Sequence, residues 1–354
     1  MFRLLAAVAT VVSLLAAAPA QPPAPVLLER IAVGSCAHQD KPQPIWREVL
    51  AAKPDLFLFL GDNVYGKDGD PEHLGVAYET LAGVPGFQLL RETTPMLATW
   101  DDHDFGLNDA GADYEHREDS LAKFHAFFQT PEADRRPDGV YHARVYGPEG
   151  RRTQVLMLDT RFNRSPLERE AEPTSGRYRA YLPTTTEGAT FLGEAQWKWL
   201  EEQLRQPAEL RLVVSSIQVV PEDHPFEKWS NIPAERERLF KLIADTGADG
   251  VVFVTGDRHL AEISMIDGGV GYPLYDLTAS ALTNSSPRWR PQEPNRHRVA
   301  TMNWGNNFGL IEVDWHREDP LVRLKIVDAD GETTLQQKFP LSTLRRGFLR
   351  PPAQ

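Results

Sequence analysis

LFLFLGDNVY, at Leu56–Tyr65, decides the fold: five apolar residues run without a polar break and stop abruptly on Gly-Asp-Asn. MLATWDDHD at Met96–Asp104 and VVFVTGDRHL at Val251–Leu260 repeat this form, and IAVGSC at Ile31–Cys36 adds a fourth example. Short apolar runs bounded by turn residues read as buried strands. Each run delivers Cys, Asp, Tyr or His at its carboxyl end, where open α/β sheets place their sites. These are metal-binding side chains, so the pattern points to metal-dependent chemistry.

Around these four, β-branched and apolar runs predict strands at 27–34, 55–60, 96–101, 140–146, 153–159, 210–217, 249–255, 272–278, 308–314 and 321–328. Helices are predicted at 43–52, 72–81, 113–129, 193–206 and 233–245. The last starts with Pro233 at a first helical position and ends before Gly247, while 193–206 puts Trp197, Leu200 and Leu204 on one face. Strands alternate with helices and then follow one another near the carboxyl end, which predicts an α/β fold with a mixed sheet or two packed sheets flanked by helices. Residues 161–191 and 283–307 carry no period and read as long loops, the kind that is functional or disordered in a compact domain.

At the amino end, Arg3, the apolar stretch Leu4–Ala18 and the triplet Ala18-Pro19-Ala20 fit a secretory signal over residues 1–20, which predicts a secreted or periplasmic protein. The stretch is short for a membrane span, so no stable membrane insertion is expected after cleavage. Loss of Arg3, the one charged residue in this segment, would take the formal charge from −12 to −13. Such an acidic chain repels nucleic acid backbones and anionic headgroups, so no nucleic acid partner is expected. An arginine cluster at Arg288, Arg290, Arg296 and Arg298 is the local exception. Hydrophobic residues at 41% and charged residues at 25% describe an ordinary globular chain, read as one domain. The only cysteine, Cys36, cannot form an internal disulfide and is either a core thiol or a bound one. A thiol nucleophile paired with His38 is disfavoured, because two residues along a loop rarely form a catalytic pair.

Phosphoester hydrolysis needs a nucleophilic oxygen and positive charge on the phosphoryl oxygens, and two metals about 3.5–4 Å apart supply both. Such a pair needs a bridging carboxylate. Asp62 is the natural bridge, because Gly61 lets the turn come close to the ions; the step recurs as Gly256-Asp257.

GSC at 34–36, GDNVYG at 61–66, TWDDHD at 99–104, LDTR at 158–161, LGEAQWKWLE at 192–201, IPAERERLF at 232–240, GDRH at 256–259 and NNFGLIEVDW at 306–315 occur in this order. In these segments the sequence resembles the PhoD-like alkaline phosphatase family of the calcineurin-like metallophosphoesterase superfamily. The resemblance implies a four-layer α/β/β/α sandwich with two mixed β-sheets over residues 27–345. It also implies that Cys36, Asp62, Tyr65 and His259 surround one metal and that Asp62, Asp102 and Asp257 surround a second. A thiolate, a phenolate and a carboxylate suit Fe3+, and an all-oxygen site suits Ca2+; a Zn2+, Mn2+ or Mg2+ pair is the lesser alternative.

By the same resemblance His103 lies near the leaving-group oxygen, held by Asp104, as a proton donor or as a residue that orients Asp102. Arg161 is the expected phosphate clamp, with Arg258 as a competitor. The superfamily's isolated histidine falls near Ser215–Val220, where this chain has Gln218, and His224 is a loop-borne substitute. The family's β-rich domain before the catalytic unit and its twin-arginine signal have no counterpart here, so a more open access to the site is expected. The function implied is hydrolysis of phosphate esters, monoesters before diesters. A phosphodiesterase or phospholipase D-type activity, or a catalytically silent binding protein, are the alternatives.

Overall fold

In the computed structural model, which describes residues 26–173, 179–286 and 293–349, Leu56–Leu60 is a strand (β2) buried along its whole length. Its alternation divides the core. Leu56, Leu58 and Leu60 face a second sheet, packing with residues such as Val155, Val214, Val254 and Leu277. Phe57 and Phe59 face the other way, onto Trp46 of α1 (Ile45–Ala51) and Phe87 of α3 (Pro85–Thr93), with ring centroids 4.9–6.1 Å apart. A strand apolar on both faces needs cover on both faces, which is why β2 is interior to a layered fold.

Two mixed sheets result. β2 lies parallel to β1 (Arg30–Gly34) and β3 (Met96–Thr99), and β1 is flanked by antiparallel β11 (Asn307–Asp314), β12 (Leu321–Asp328) and β13 (Thr333–Pro340), in the order β13-β12-β11-β1-β2-β3. In the second sheet β5 (Thr153–Met157), β6 (Leu210–Ser215), β7 (Val251–Thr255) and β9 (Leu274–Ala279) run parallel. Antiparallel β4 (His142–Tyr146) closes one side of it, and β8 (Ala261–Ile266) and β10 (Arg298–Met302) close the other. Helices α6 (Gly193–Leu204) and α7 (Pro233–Thr246) cover its outer face with Trp197, Leu200, Leu239 and Ile243. The fold is a four-layer α/β/β/α sandwich. The sheets meet closely at Gly309, where a Cβ would stand 2.6 Å from a Val33 methyl and 3.1 Å from the Ala279 Cβ.

The ten predicted strands and five predicted helices all occur, the helices including α2 (Pro71–Ala82) and α5 (Arg117–Phe127). As expected, α7 has Pro233 in its first turn and ends at Gly247 in the left-handed conformation, φ 71°. Strands β8, β10 and β13 and helices α3 and α4 (Asp102–Phe105) were not legible. In β8 the buried Glu262 interrupts the apolar run and is matched by Arg298 of β10, so β10 is a strand inside the stretch read as a loop at 283–307. β13 is a polar edge strand, and Pro85 and Gly86 disguise α3 as a turn. The signal at 1–20, and Arg288 and Arg290, lie outside the described residues. Arg296 and Arg298 do not form a basic patch, since they pair with Asp223 and Glu262.

Candidate metal centre

Parallel strands β1, β2 and β3 of one sheet and β7 of the other end at the same place, and their last residues turn sharply. Cys36 (φ 59°), Asp62 (φ 49°), Asp257 (φ 68°) and His259 (φ 53°) all adopt left-handed backbone. That conformation costs roughly 1–2 kcal/mol for a non-glycine residue and persists only where surrounding structure imposes it. The glycines before the two aspartates permit the convergence. A Cβ on Gly61 would stand 2.6 Å from the Asp101 Cβ, and one on Gly256 would stand 2.7 Å from Ser35 Oγ and 2.9 Å from the Leu60 carbonyl of the other sheet.

Two donor groups form around Asp62. The ligand atoms of Cys36, Asp62 and His259 lie within 4.8 Å of one another, as do those of Asp62, Asp102 and His103. Tyr65 joins the first group: its hydroxyl is 3.2 Å from Asp62 Oδ2 and 3.0 Å from His259 Nε2. Cys36 Sγ is 3.4 Å from the same Asp62 oxygen. The second group is held by backbone donors, with the Asp109 N–H 2.8 Å from Asp102 Oδ2 and the His103 N–H 3.3 Å from Asp62 Oδ1. Asp257 lies outside both groups. Its buried Oδ2 accepts no hydrogen bond and is 3.5 Å from Arg258 Nη1.

Burial sets the electrostatics. It raises Asp62 well above the usual carboxylate range, and the neighbouring Cys36, Asp102, Asp101 and Asp104 raise it further. Asp257 is raised well above that range too, by burial first, against the pull of Arg258. Burial pushes the Cys36 thiol up to about 11 and the Tyr65 phenol well above its ordinary value. Asp102 is the exception: burial opposes its charge, but His103, Arg161 and the Asp109 N–H hold it below the normal range. Buried acids that converge without enough internal positive charge either hold a proton or are compensated by a cation. The unsatisfied Asp257 oxygen and the shared Asp62 carboxylate therefore fit a metal-holding role.

Other expected residues are placed differently. Arg161, read as a phosphate clamp, is fully buried; its guanidinium donates to Asp101 Oδ1 at 2.6 Å and Glu227 Oε2 at 2.7 Å. Arg164 also pairs with Glu227. Arg258 is buried between Glu293, 2.7 Å away, and the Phe226 ring. Asp104 does not hold the His103 ring as expected. Its oxygens accept from the N–H groups of Asp62 and Asp101 and from the Asn63 amide, tying the loop after β2 to the start of α4. Gln218 turns toward Thr278, 2.8 Å away, and His224 belongs to neither donor group.

Several site neighbours carry no motif. The His38 ring stacks on Tyr65 with centroids 4.7 Å apart, and the His103 ring lies against the same phenol at 4.3 Å. Ser280, Asn284 and Ser286 approach His259 from the segment after β9, and Glu227 and Asp109 come from loops. The polar TNSS run at 283–286, shortly after a buried strand, was the available signal for Asn284 and Ser286.

Two mixed sheets with carboxylates, a thiol and imidazoles at their joined strand ends define the class of metal-dependent phosphoesterases. Solved structures agree on the fold. The structure of PhoD matches with a TM-score of 0.68 at 17% identity, covering 90% of this chain and 70% of that one. A dimetal phosphatase from Danio rerio matches with a TM-score of 0.52 at 13% identity, covering 90% of this chain and 99% of that one. No curated protein matches the sequence. The chain belongs to the PhoD-like phosphatase family, which it matches over residues 31–319. It is a metal-binding phosphoester hydrolase.

Proposed function

We propose that this chain hydrolyses phosphate monoesters outside the cytoplasm, as a single catalytic domain over residues 27–345 released from a signal at 1–20. Fe3+ is assigned to Cys36, Asp62, Tyr65 and His259, and Ca2+ to Asp62, Asp102 and Asp257. The observation that carries this reading is the position of Asp62, whose carboxylate belongs to both donor groups. When bound, the two ions supply an activated water oxygen and neutralise charge on the phosphoryl oxygens.

The chain's own residues do the rest. His103, beside Asp62 and Asp102, is assigned as the donor of a proton to the leaving oxygen. Arg161 is a positioning residue: through Asp101 it fixes the turn that presents Asp102 and His103. Asp104, capping α4 and bonding the Asp62 N–H, holds the turns after β2 and β3 in register.

The test measures rates on a monoester, a diester and a phospholipid, with elemental and absorption analysis of the same sample. Monoester turnover with iron and calcium present supports the reading, and phenolate and thiolate donors to Fe3+ should colour the protein. Tyr65→Phe should remove the phenolate part of that absorption. A fully active, colourless, iron-free sample overturns the iron assignment, and faster diester or phospholipid turnover overturns the monoester preference.

A further inference from the structure

The cations around the metal centre fall into two sets. Arg161, Arg164, Arg258 and Lys228 are buried, and each is already engaged: Arg161 and Arg164 with Glu227, Arg258 with Glu293, and Lys228 with the Phe226 carbonyl at 3.0 Å. A group spent in this way has little left for a substrate. Lys41 and Arg169 differ. Lys41 is exposed and donates to the side-chain oxygen Oδ1 of Asn284, whose side-chain nitrogen Nδ2 lies 3.3 Å from His259 Nε2. Arg169, with its side chain 40% exposed, bonds the Asp109 carboxylate, and the Asp109 N–H donates to Asp102. One exposed cation is thus tethered, through one intervening residue, to each of the two donor groups.

Both tethers are built. Arg169 lies 4.1 Å over the Tyr181 ring, and the Tyr181 hydroxyl donates to the same Asp109 oxygen at 2.7 Å. One guanidinium nitrogen bonds Asp109, while the other nitrogens have no partner among the described residues. Lys41 likewise has one bonded partner for its three ammonium hydrogens. A phosphoryl group held at the shared Asp62 would therefore have an exposed cation one residue removed from each of the donor groups beside it. On a chain of formal charge −12, two exposed cations at that position favour an anionic substituent.

We infer that Lys41 and Arg169 form a two-cation rim that selects phosphate monoesters whose leaving group carries a further negative charge. The inference rests on the monoesterase reading, and the experiment separates the two. The probes are 4-carboxyphenyl phosphate and phenyl phosphate, compared by kcat and KM at low and high salt. Binding of the matched phosphonates, 4-carboxybenzylphosphonate and benzylphosphonate, is measured by calorimetry.

Wild type should favour the carboxylated member of each pair, and the preference should shrink with added salt. Arg169→Gln and Lys41→Gln should each raise KM for the carboxylated ester about fivefold more than for phenyl phosphate, the size of an exposed charge pair. Arg169→Lys and Lys41→Arg should retain the preference. If the glutamine variants do not fold, the salt dependence of wild-type preference decides. Equal losses on both esters would place the two cations on the phosphoryl group and overturn the rim. A salt-independent or absent preference overturns it as well. Absence of monoester turnover in wild type removes the monoesterase reading and the rim together.

Discussion

Two acidic clusters lie side by side in this molecule and meet opposite fates. Asp101 and Glu227 are buried against Arg161 and Arg164, so their charge is matched inside the chain. Asp62 is just as enclosed and Asp257 only 18% exposed, yet their neighbours include Cys36, Tyr65 and further carboxylates, and only Arg258 approaches Asp257. The same residue type thus serves architecture in one cluster and is left available for a cation in the other. Burial is common to both; the internal counter-charge distinguishes them.

The strongest way to break this comparison is Asp62→Ala. Loss of a carboxylate shared by both donor groups should deplete both metals and lower kcat by about 10³-fold or more, because each ion contributes several kcal/mol of charge stabilisation. Retention of both metals at full occupancy would remove Asp62 from its bridging role. In chelator-treated protein, Asp62→Asn should leave stability unchanged or raised, since it replaces an uncompensated buried acid.

Arg161→Met probes the matched cluster and should behave in the opposite way. It leaves Asp101 and Glu227 buried without their shared partner, a change that costs about 3–5 kcal/mol. Urea unfolding of the chelator-treated variant reads the loss. A midpoint equal to wild type would mean that the network contributes nothing.

Burial also shifts acidity beside the metal centre. Burial raises Asp104, beside Asp62, to about 8 from an ordinary value of 3.8. The folded state therefore binds a proton that the unfolded state has released, and stability falls as pH rises between the two values. Metal-free protein should lose on the order of a few kcal/mol from about pH 4 to about pH 8. A urea midpoint that climbs over that interval contradicts the assignment.

The smallest expected change is His103→Ala, which should keep the metals and lower kcat by about 10²-fold for poor leaving groups, with less loss for good ones. Equal losses would make His103 a structural neighbour of Tyr65 rather than a proton donor.

Much of this was legible in the chain. Leu56–Leu60 and Val251–Thr255 are uninterrupted because both faces are covered, and an uninterrupted run is visible in one dimension. The glycines before Asp62 and Asp257 were legible for the same reason, since a close approach admits no side chain. Strand β8 was not legible, because Glu262 is neutralised by Arg298, which is distant in sequence.

By itself, then, the sequence determined which strands are interior and which residues stand at their carboxyl ends, because solvent exclusion and turn sterics act on neighbouring residues. The tertiary structure alone decided how the charges are shared. Arg161 follows β5 in a motif that suggests a phosphate clamp, yet Glu227, arriving from a remote loop, claims its guanidinium. Asp104 follows His103 directly, yet it bonds the turn after β2. Ion pairing and hydrogen bonding depend on distance in space, and residues brought together by two packed sheets compete for the same partners in a way that adjacency along the chain does not record.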